Sequence, residues 1–417
     1  MTLETMTMRQ PLTSAIVPSV SPNSSALATP LPRVLRPQRA VPADAVRPTR
    51  AEVNLANLRH NLRVMQRAAG GAEVWAVLKA DGYGHGAKGV ARTLERAGAT
   101  GICVALLEEG IELRQAGIRV PILVLGGYYG RAWGEVLRHS LTPVLHDPSQ
   151  VEELAEEVRY SGSEPASAHV KIDTGMSRLG VLPRDVPKMA ELLARHREVN
   201  VTGLMTHFAA DGGDLDSINA QMDLFDQAAA SMRSLGIDPP LRHAANSAAI
   251  LQSPRAHLNV VRPGIALFGV EPRVGVCKEL RPVMQVRTEL VSVREVPAGQ
   301  SVGYGGTWKA TRTSRIATIP MGYADGLSRA LSNRGELLVR GKRVPVAGII
   351  SMDMAMLDVT EVTDVRVGDE CVVLGTQKGP LGQETISAEE IATRLGTIPW
   401  EVLTDISRRV PRFYREP

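Results

Sequence analysis

The chain has 417 residues, with 48 Lys and Arg against 44 Asp and Glu and a formal net charge of +4. That length accommodates two globular domains, and charge so evenly dispersed argues against a nucleic-acid partner. No apolar run approaches the ~20 residues a bilayer span needs, so no membrane partner is expected; Cys103, Cys277 and Cys371 lack CxxC spacing and read as buried thiols in a reducing, cytoplasmic setting.

Residues 1–46 are rich in Pro, Ser, Thr and Arg, hold Glu4 and Asp44 as their only acids, and show no sustained hydrophobic period. They read as a disordered tail. Their Arg-bearing, acid-poor character also fits a targeting presequence, but without the apolar core of a secretory signal.

From about residue 50 to 270, short apolar runs alternate with segments of helical spacing. The predicted strands are 74–78, 101–105, 122–125, 141–145, 168–172, 201–205 and 241–244, with a further one ending near Arg262. Between them, segments such as 55–69, 88–97 and 151–158 carry Leu, Val or Met on one face and charges on the other. Eight βα units predict an α/β fold with a closed parallel barrel of the TIM type, assigned to 47–275. Beyond 275 the helical rhythm stops, and 276–417 reads as a smaller, mainly β domain with strands at 284–296, 315–319, 336–339 and 371–374. One helix, 387–395, opens on Ser387 as N-cap with Glu390 three residues on, a capping-box pattern.

Chemistry concentrates at the predicted strand ends. An apolar strand ends at Lys79 and runs into a Gly-rich loop. A partly desolvated lysine has a lowered pKa and an amine free to attack an aldehyde; on this segment alone, a lysine snorkelling at a strand end is an equal alternative. Asn246 and Ser247 sit where a strand turns into a helix, an anion-favouring arrangement. Gly264 lets backbone amides approach the same anion.

The run AVLKADGYGHG over 76–86 resembles the cofactor-attachment signature of the alanine racemase family. The resemblance extends over 50–413, through HVKIDTGMSRLG at 169–180, THF at 206–208, HAANSAA at 243–249, VRPGIA at 261–266, SVGYGGT at 301–307, IPMGYADG at 319–326 and GIISMD at 348–353. It implies pyridoxal 5′-phosphate (PLP) as cofactor, held by Lys79, with Tyr83, Asn246, Ser247, Gly264 and Ile265 around its phosphate. His207 is implied beside the ring, linking Arg262 to the catalytic tyrosine. Arg262 would face the pyridine nitrogen; because arginine only donates, the ring stays a weaker electron sink, which favours prompt reprotonation. Arg178 would hold the substrate carboxylate, positioned by Lys171, which is often carbamylated in the family. Met352 would donate its backbone N–H to substrate.

Racemisation needs a second proton carrier opposite Lys79, and the resemblance supplies Tyr304. A phenol of pKa about 10 requires nearby cations to work at neutral pH, and Arg178 and Arg262 fit that need. The family also implies a head-to-tail homodimer with shared active sites, and D-alanine supplied to peptidoglycan. Tyr323, Asp353 and Arg408 fall at the active-site entrance. Two positions depart from the pattern: Arg408 replaces a common tyrosine, and Ile349 a common arginine. Both leave room for serine or larger substrates. A PLP-dependent decarboxylase of basic amino acids and a non-catalytic PLP homeostasis protein are the alternatives, the latter needing only the barrel and Lys79.

Overall fold

The computed structural model describes residues 46–126, 132–210 and 213–416, so the tail expected over 1–46 lies outside the described residues but for Val46. β1 (Arg50–Asn54) leads into α1 (Leu55–Ala68), and eight parallel strands then close a barrel. These are β2 (Glu73–Val77), β3 (Gly101–Val104), β4 (Ile122–Val124), β5 (Thr142–Leu145), β6 (Ala166–Lys171), β7 (Val199–Met205), β8 (Leu241–His243) and β9 (Val260–Val261). β2 closes the ring against β9 through Glu73–Val260 and Val74–Val261. Helices cover the outside and side chains fill the inside, so both strand faces are dry and the sequence shows continuous apolar runs instead of alternation. Each of the eight expected strands is present. No helix among the described residues is long and apolar enough to cross a membrane.

The second domain departs from expectation in three places. The segment 284–296 is two strands: Met284–Glu289 lies in one sheet and Ser292–Val296 in another. At the junction, Leu290 N–H donates to Asp369 O and Val291 N–H to Thr318 O, so successive residues bond to different sheets. The capping box at Ser387 is half formed. Ser387 Oγ accepts the Glu390 N–H at 3.2 Å, but the Glu390 carboxylate turns to Arg343, at 2.6 and 2.9 Å, and to Arg394, at 3.1 Å. Charge-assisted bonds outcompete a backbone amide. Of the cysteines, Cys103 and Cys371 are buried but Cys277 is only half-buried.

β1 precedes the barrel in sequence but pairs in the second-domain sheet, antiparallel to Met284–Glu289 and parallel to Arg412–Arg415. The two ends of the described chain are thus stitched together. Glu52 in β1 is 6% exposed, and accepts from Arg50 at 2.9 Å and from Arg415, with Arg287 at 3.5 Å. A carboxylate so buried is tolerable only because cations enclose it.

Asn61 ties α1 to the barrel's exit. It is fully buried; its Nδ2 donates to Leu267 O at 3.0 Å and Arg281 O at 2.8 Å, and its Oδ1 accepts the Arg281 N–H at 2.9 Å. Asn61→Ala removes three hydrogen bonds to backbone, one of them to the buried Leu267 carbonyl, and is expected to lower stability by about 1–3 kcal/mol, read as a fall in the urea midpoint; a change below about 0.5 kcal/mol would show that Asn61 does not tie α1 to the barrel's exit.

Candidate active site

β2 ends at Val77, and two residues later the chain enters an unusual turn. Ala80, Asp81, Gly82, Tyr83 and Gly84 have φ of 53, 54, 63, 50 and 77°. A left-handed conformation costs about 1–2 kcal/mol for each residue bearing a side chain, so outside groups must hold it. Asp81 Oδ1 accepts the Ala87 N–H at 2.8 Å, and His85 Nδ1 donates to Tyr83 O at 2.8 Å. The turn swings the Tyr83 ring inward onto Phe268, 5.0 Å away between centroids. A Cβ at position 264 would collide with the Tyr83 hydroxyl, so Gly264 is required where they meet.

All eight residues assigned to the cofactor, Lys79, Tyr83, His207, Asn246, Ser247, Arg262, Gly264 and Ile265, line one cavity of 490 Å³. Asn246 Oδ1 caps the helix Ser247–Gln252, accepting the Ala248 and Ala249 N–H groups at 3.1 and 3.0 Å. Ser247 Oγ accepts the Gly264 N–H at 2.9 Å. Burial keeps the Tyr83 phenol protonated by raising its pKa. Hydroxyls and amides thus meet with no acid among them, a donor set suited to an anion.

Cations dominate the rest of the site. Lys79 lines the cavity and is exposed to solvent; desolvation, then Arg178, lowers its pKa. Lys171 is buried, and desolvation with Arg178 and Arg262 brings it down to about 8. Arg178 itself is exposed. His207 is depressed to about 3 by desolvation and then by Arg262, Lys171, Arg178 and Lys79, so it stands neutral at the wall.

Arg262, 3% exposed, carries the longest-reaching network. Its Nη2 donates to Thr206 O at 2.8 Å and Ala244 O at 3.1 Å, and its Nη1 lies 2.6 Å from His243 Nδ1. Guanidinium can only donate, so His243 Nδ1 accepts. The His243 proton then sits on Nε2, which donates to His169 Nδ1 at 2.8 Å. Trp75 packs beside both rings, 5.6 and 6.2 Å away. The hydrogen-bonded partner of Arg262 is therefore His243; the expected link through His207 is electrostatic. His169 and His243 carry no role in the motif pattern, although a buried histidine within a barrel strand is itself a signal of a paired polar group.

The second-domain candidates lie elsewhere on the chain. Tyr304 is 73% exposed, and Tyr323 and Met352 are also exposed. None of them lines the cavity that holds Lys79. Their loops adjoin: Gly303 abuts Gly348 and Ile349, the Tyr323 N–H donates to Ser351 O, and the Ala324 N–H to Met352 O, each at 3.1 Å. Asp353 accepts from Arg409 at 2.7 Å. Arg408 lines a separate cavity with Ala80, Asp81 and Glu109.

Three buried histidines and the half-buried His207 make the fold acid-sensitive. His85 is depressed to about 4, His169 and His207 to about 3, and His243 well below the usual imidazole range, all led by desolvation. Unfolded histidines protonate near pH 6.5 and these do not, so stability is full above about pH 6.5 and is lost as pH falls toward about 3–4. The urea midpoint should therefore drop between about pH 7 and 5; a flat profile would show that these rings are not held neutral.

A family model described as alanine racemase, N-terminal domain, matches residues 53–272, and one described as alanine racemase, C-terminal domain, matches 283–414. The alanine racemase of Sorangium cellulosum (strain So ce56) is 58% identical over 379 residues, 89% of this chain and 100% of that protein. The structure of alanine racemase from Bacillus anthracis with bound L-Ala-P is similar with a TM-score of 0.83 at 32% identity, covering 88% of this chain and 95% of that one. That of alanine racemase from Bartonella henselae with covalently bound pyridoxal phosphate gives 0.78 at 29% identity, covering 88% and 99%. Matches over both domains, at these identities and coverages, establish that this chain belongs to the alanine racemase family.

Proposed function

We propose that this chain interconverts L- and D-alanine with PLP as cofactor, using Lys79 and Tyr304 as proton carriers on opposite faces of the substrate, and supplies D-alanine for peptidoglycan in the cytoplasm. The observation that carries the reading is the convergence in one cavity of the Lys79 amine, the cradle of Tyr83, Ser247 and Gly264, and Arg262. The cradle fits a phosphate: it offers hydroxyl and amide donors, brought together because Tyr83 can approach residue 264 only while that residue has no side chain. When bound, PLP supplies the electron sink that acidifies the α-proton of the amino acid.

The chain's own residues do the rest. Lys79, with its pKa lowered, offers a neutral amine more readily than an unperturbed lysine. Arg262, brought down to about 10 by burial, stays protonated at neutral pH and can hold a ring nitrogen only as a donor. Arg178 presents a planar fork to the substrate carboxylate. Lys171, at about 8 and flanked by two guanidiniums, retains enough neutral amine to add CO2; the resulting carbamate would replace a repelled ammonium with an anion facing Arg178 and so position it. The intact mass of the Lys171 peptide should then exceed that of the Lys171→Ala control by one CO2 beyond the side-chain difference.

Tyr304 needs a route to Lys79. Its exposure on the second-domain surface, beside Met352 and Tyr323, supports a head-to-tail homodimer in which a second copy brings it to the cavity mouth. Cations at the mouth would favour its phenolate. A PLP homeostasis role would require only the barrel, whereas the racemase C-terminal match over 283–414 supports catalysis. Ile349 and Arg408 keep serine and larger amino acids on the assay panel.

The test uses full-length protein and each alanine enantiomer separately. Wild type should carry either one to a racemic end point. Because the two enantiomers have equal energy, Tyr304→Phe must slow kcat/KM equally in both directions, by roughly 10²–10⁴-fold. The distinguishing readout is solvent deuterium: one enantiomer should still exchange its α-proton through Lys79 without inverting, while the other should not. Equal exchange from both would reject Tyr304 as the second carrier.

A further inference from the structure

The left-handed turn behind Lys79 is clamped at both ends. At its far end Arg412 Nε donates to Gly84 O at 2.9 Å and Tyr414 Oη to Gly86 O at 3.0 Å. At its near end, one residue from the lysine, the clamp is Glu109. Its Oε1 accepts the Ala80 N–H at 2.6 Å, while its Oε2 accepts the Ala105 and Leu106 N–H groups at 2.8 and 3.1 Å.

Glu109 lies in the first turn of the helix Leu107–Gln115. Capping that helix accounts for Oε2 alone. The bond from Oε1 reaches across to a different βα loop and serves no need of its own helix. It fastens the first strained residue after Lys79 to the loop leaving β3, through a charge-assisted bond stronger than a neutral one. Strained backbone of this kind persists only where its surroundings over-determine it. Electrostatics point the same way: among the charges acting on the Lys79 amine, Arg178 drives the proton off and Glu109 retains it.

We propose that Glu109 is a positioning residue for Lys79, fixing the direction of the amine by clamping Ala80 and keeping one negative charge behind an amine that otherwise faces cations. The proposal rests on Lys79 being the cofactor lysine. The groups facing Lys79 are Arg178 and His207, with Arg262 in the same cavity. On Glu109's own side, Asp81, Glu108, Glu112, Arg408 and Arg412 line the neighbouring cavity.

The experiment compares full-length wild type, Glu109→Gln, Glu109→Asp and Tyr414→Phe, each freed of bound aldehyde. Acetylation of Lys79 by acetic anhydride is followed against pH by peptide mass spectrometry, and capture of added PLP is followed by its visible absorbance. In Glu109→Gln the acetylation midpoint should move to lower pH, because a negative charge has gone, and PLP capture should slow by roughly tenfold or more, because the amine is no longer aimed. Glu109→Asp keeps the charge but is too short to bridge both loops, so it should capture slowly with a midpoint near that of wild type. Tyr414→Phe loosens the turn's far end and should leave the midpoint unchanged.

A wild-type midpoint in Glu109→Gln, or the same shift in Tyr414→Phe, overturns the proposal. If Glu109→Gln does not fold, wild-type capture by Glu109→Asp overturns it equally. Failure of wild type itself to capture PLP would sink the functional reading, while the acetylation midpoints would still decide whether Glu109 acts on Lys79.

Discussion

A buried guanidinium with no carboxylate among its hydrogen-bond partners organises this molecule. Arg262 bonds to one imidazole and two carbonyls, drawn from the ends of β7 and β8 and the loop after β8. Leaving such a charge dry is costly unless every donor is placed. That requirement orders the tautomers of His243 and His169, adds to the desolvation that keeps the surrounding histidines neutral, and joins strand ends that are far apart in sequence. Arg178, Lys171 and Lys79 add positive charge to the same space, so the barrel's upper end attracts anions before any ligand is considered.

The site also stores strain. Between Lys79 and the helix Ala87–Arg96, the backbone runs through a left-handed arc that two partners hold from opposite sides: Glu109 in the first turn of the helix Leu107–Gln115 and the C-terminal strand Arg412–Arg415. The C-terminal strand in turn pairs with β1. The geometry of one lysine therefore depends on the last described residues of the chain, which gives the second domain a structural role in the barrel's chemistry besides the tyrosine it carries.

Those two roles divide the site between the two parts of the chain. The barrel collects groups that hold an anion and a permanent cation, and the β domain presents Tyr304, Tyr323 and Met352 on an exposed surface. Neither set of residues meets the other within one copy. Under the proposed reading, assembly completes the site.

The sequence alone determined much of this. The barrel was legible because most of its strands are buried on both faces and so leave short apolar runs, and the site segments were legible because Lys79, Asn246, Ser247, Arg262 and Gly264 all follow predicted strands in chain order. Local patterns could not disclose pairing between distant segments. β1 is a five-residue strand whose partners begin more than 200 residues away, and the break at Leu290 exists because neighbouring residues bond to different sheets. Glu390 left its cap for Arg343, and Arg262 chose His243 over His207, because hydrogen-bond partners are selected in space. Glu109 was passed over for the same reason: in sequence it is one acid among several on a helix, and only the tertiary fold carries its second oxygen to the residue beside Lys79.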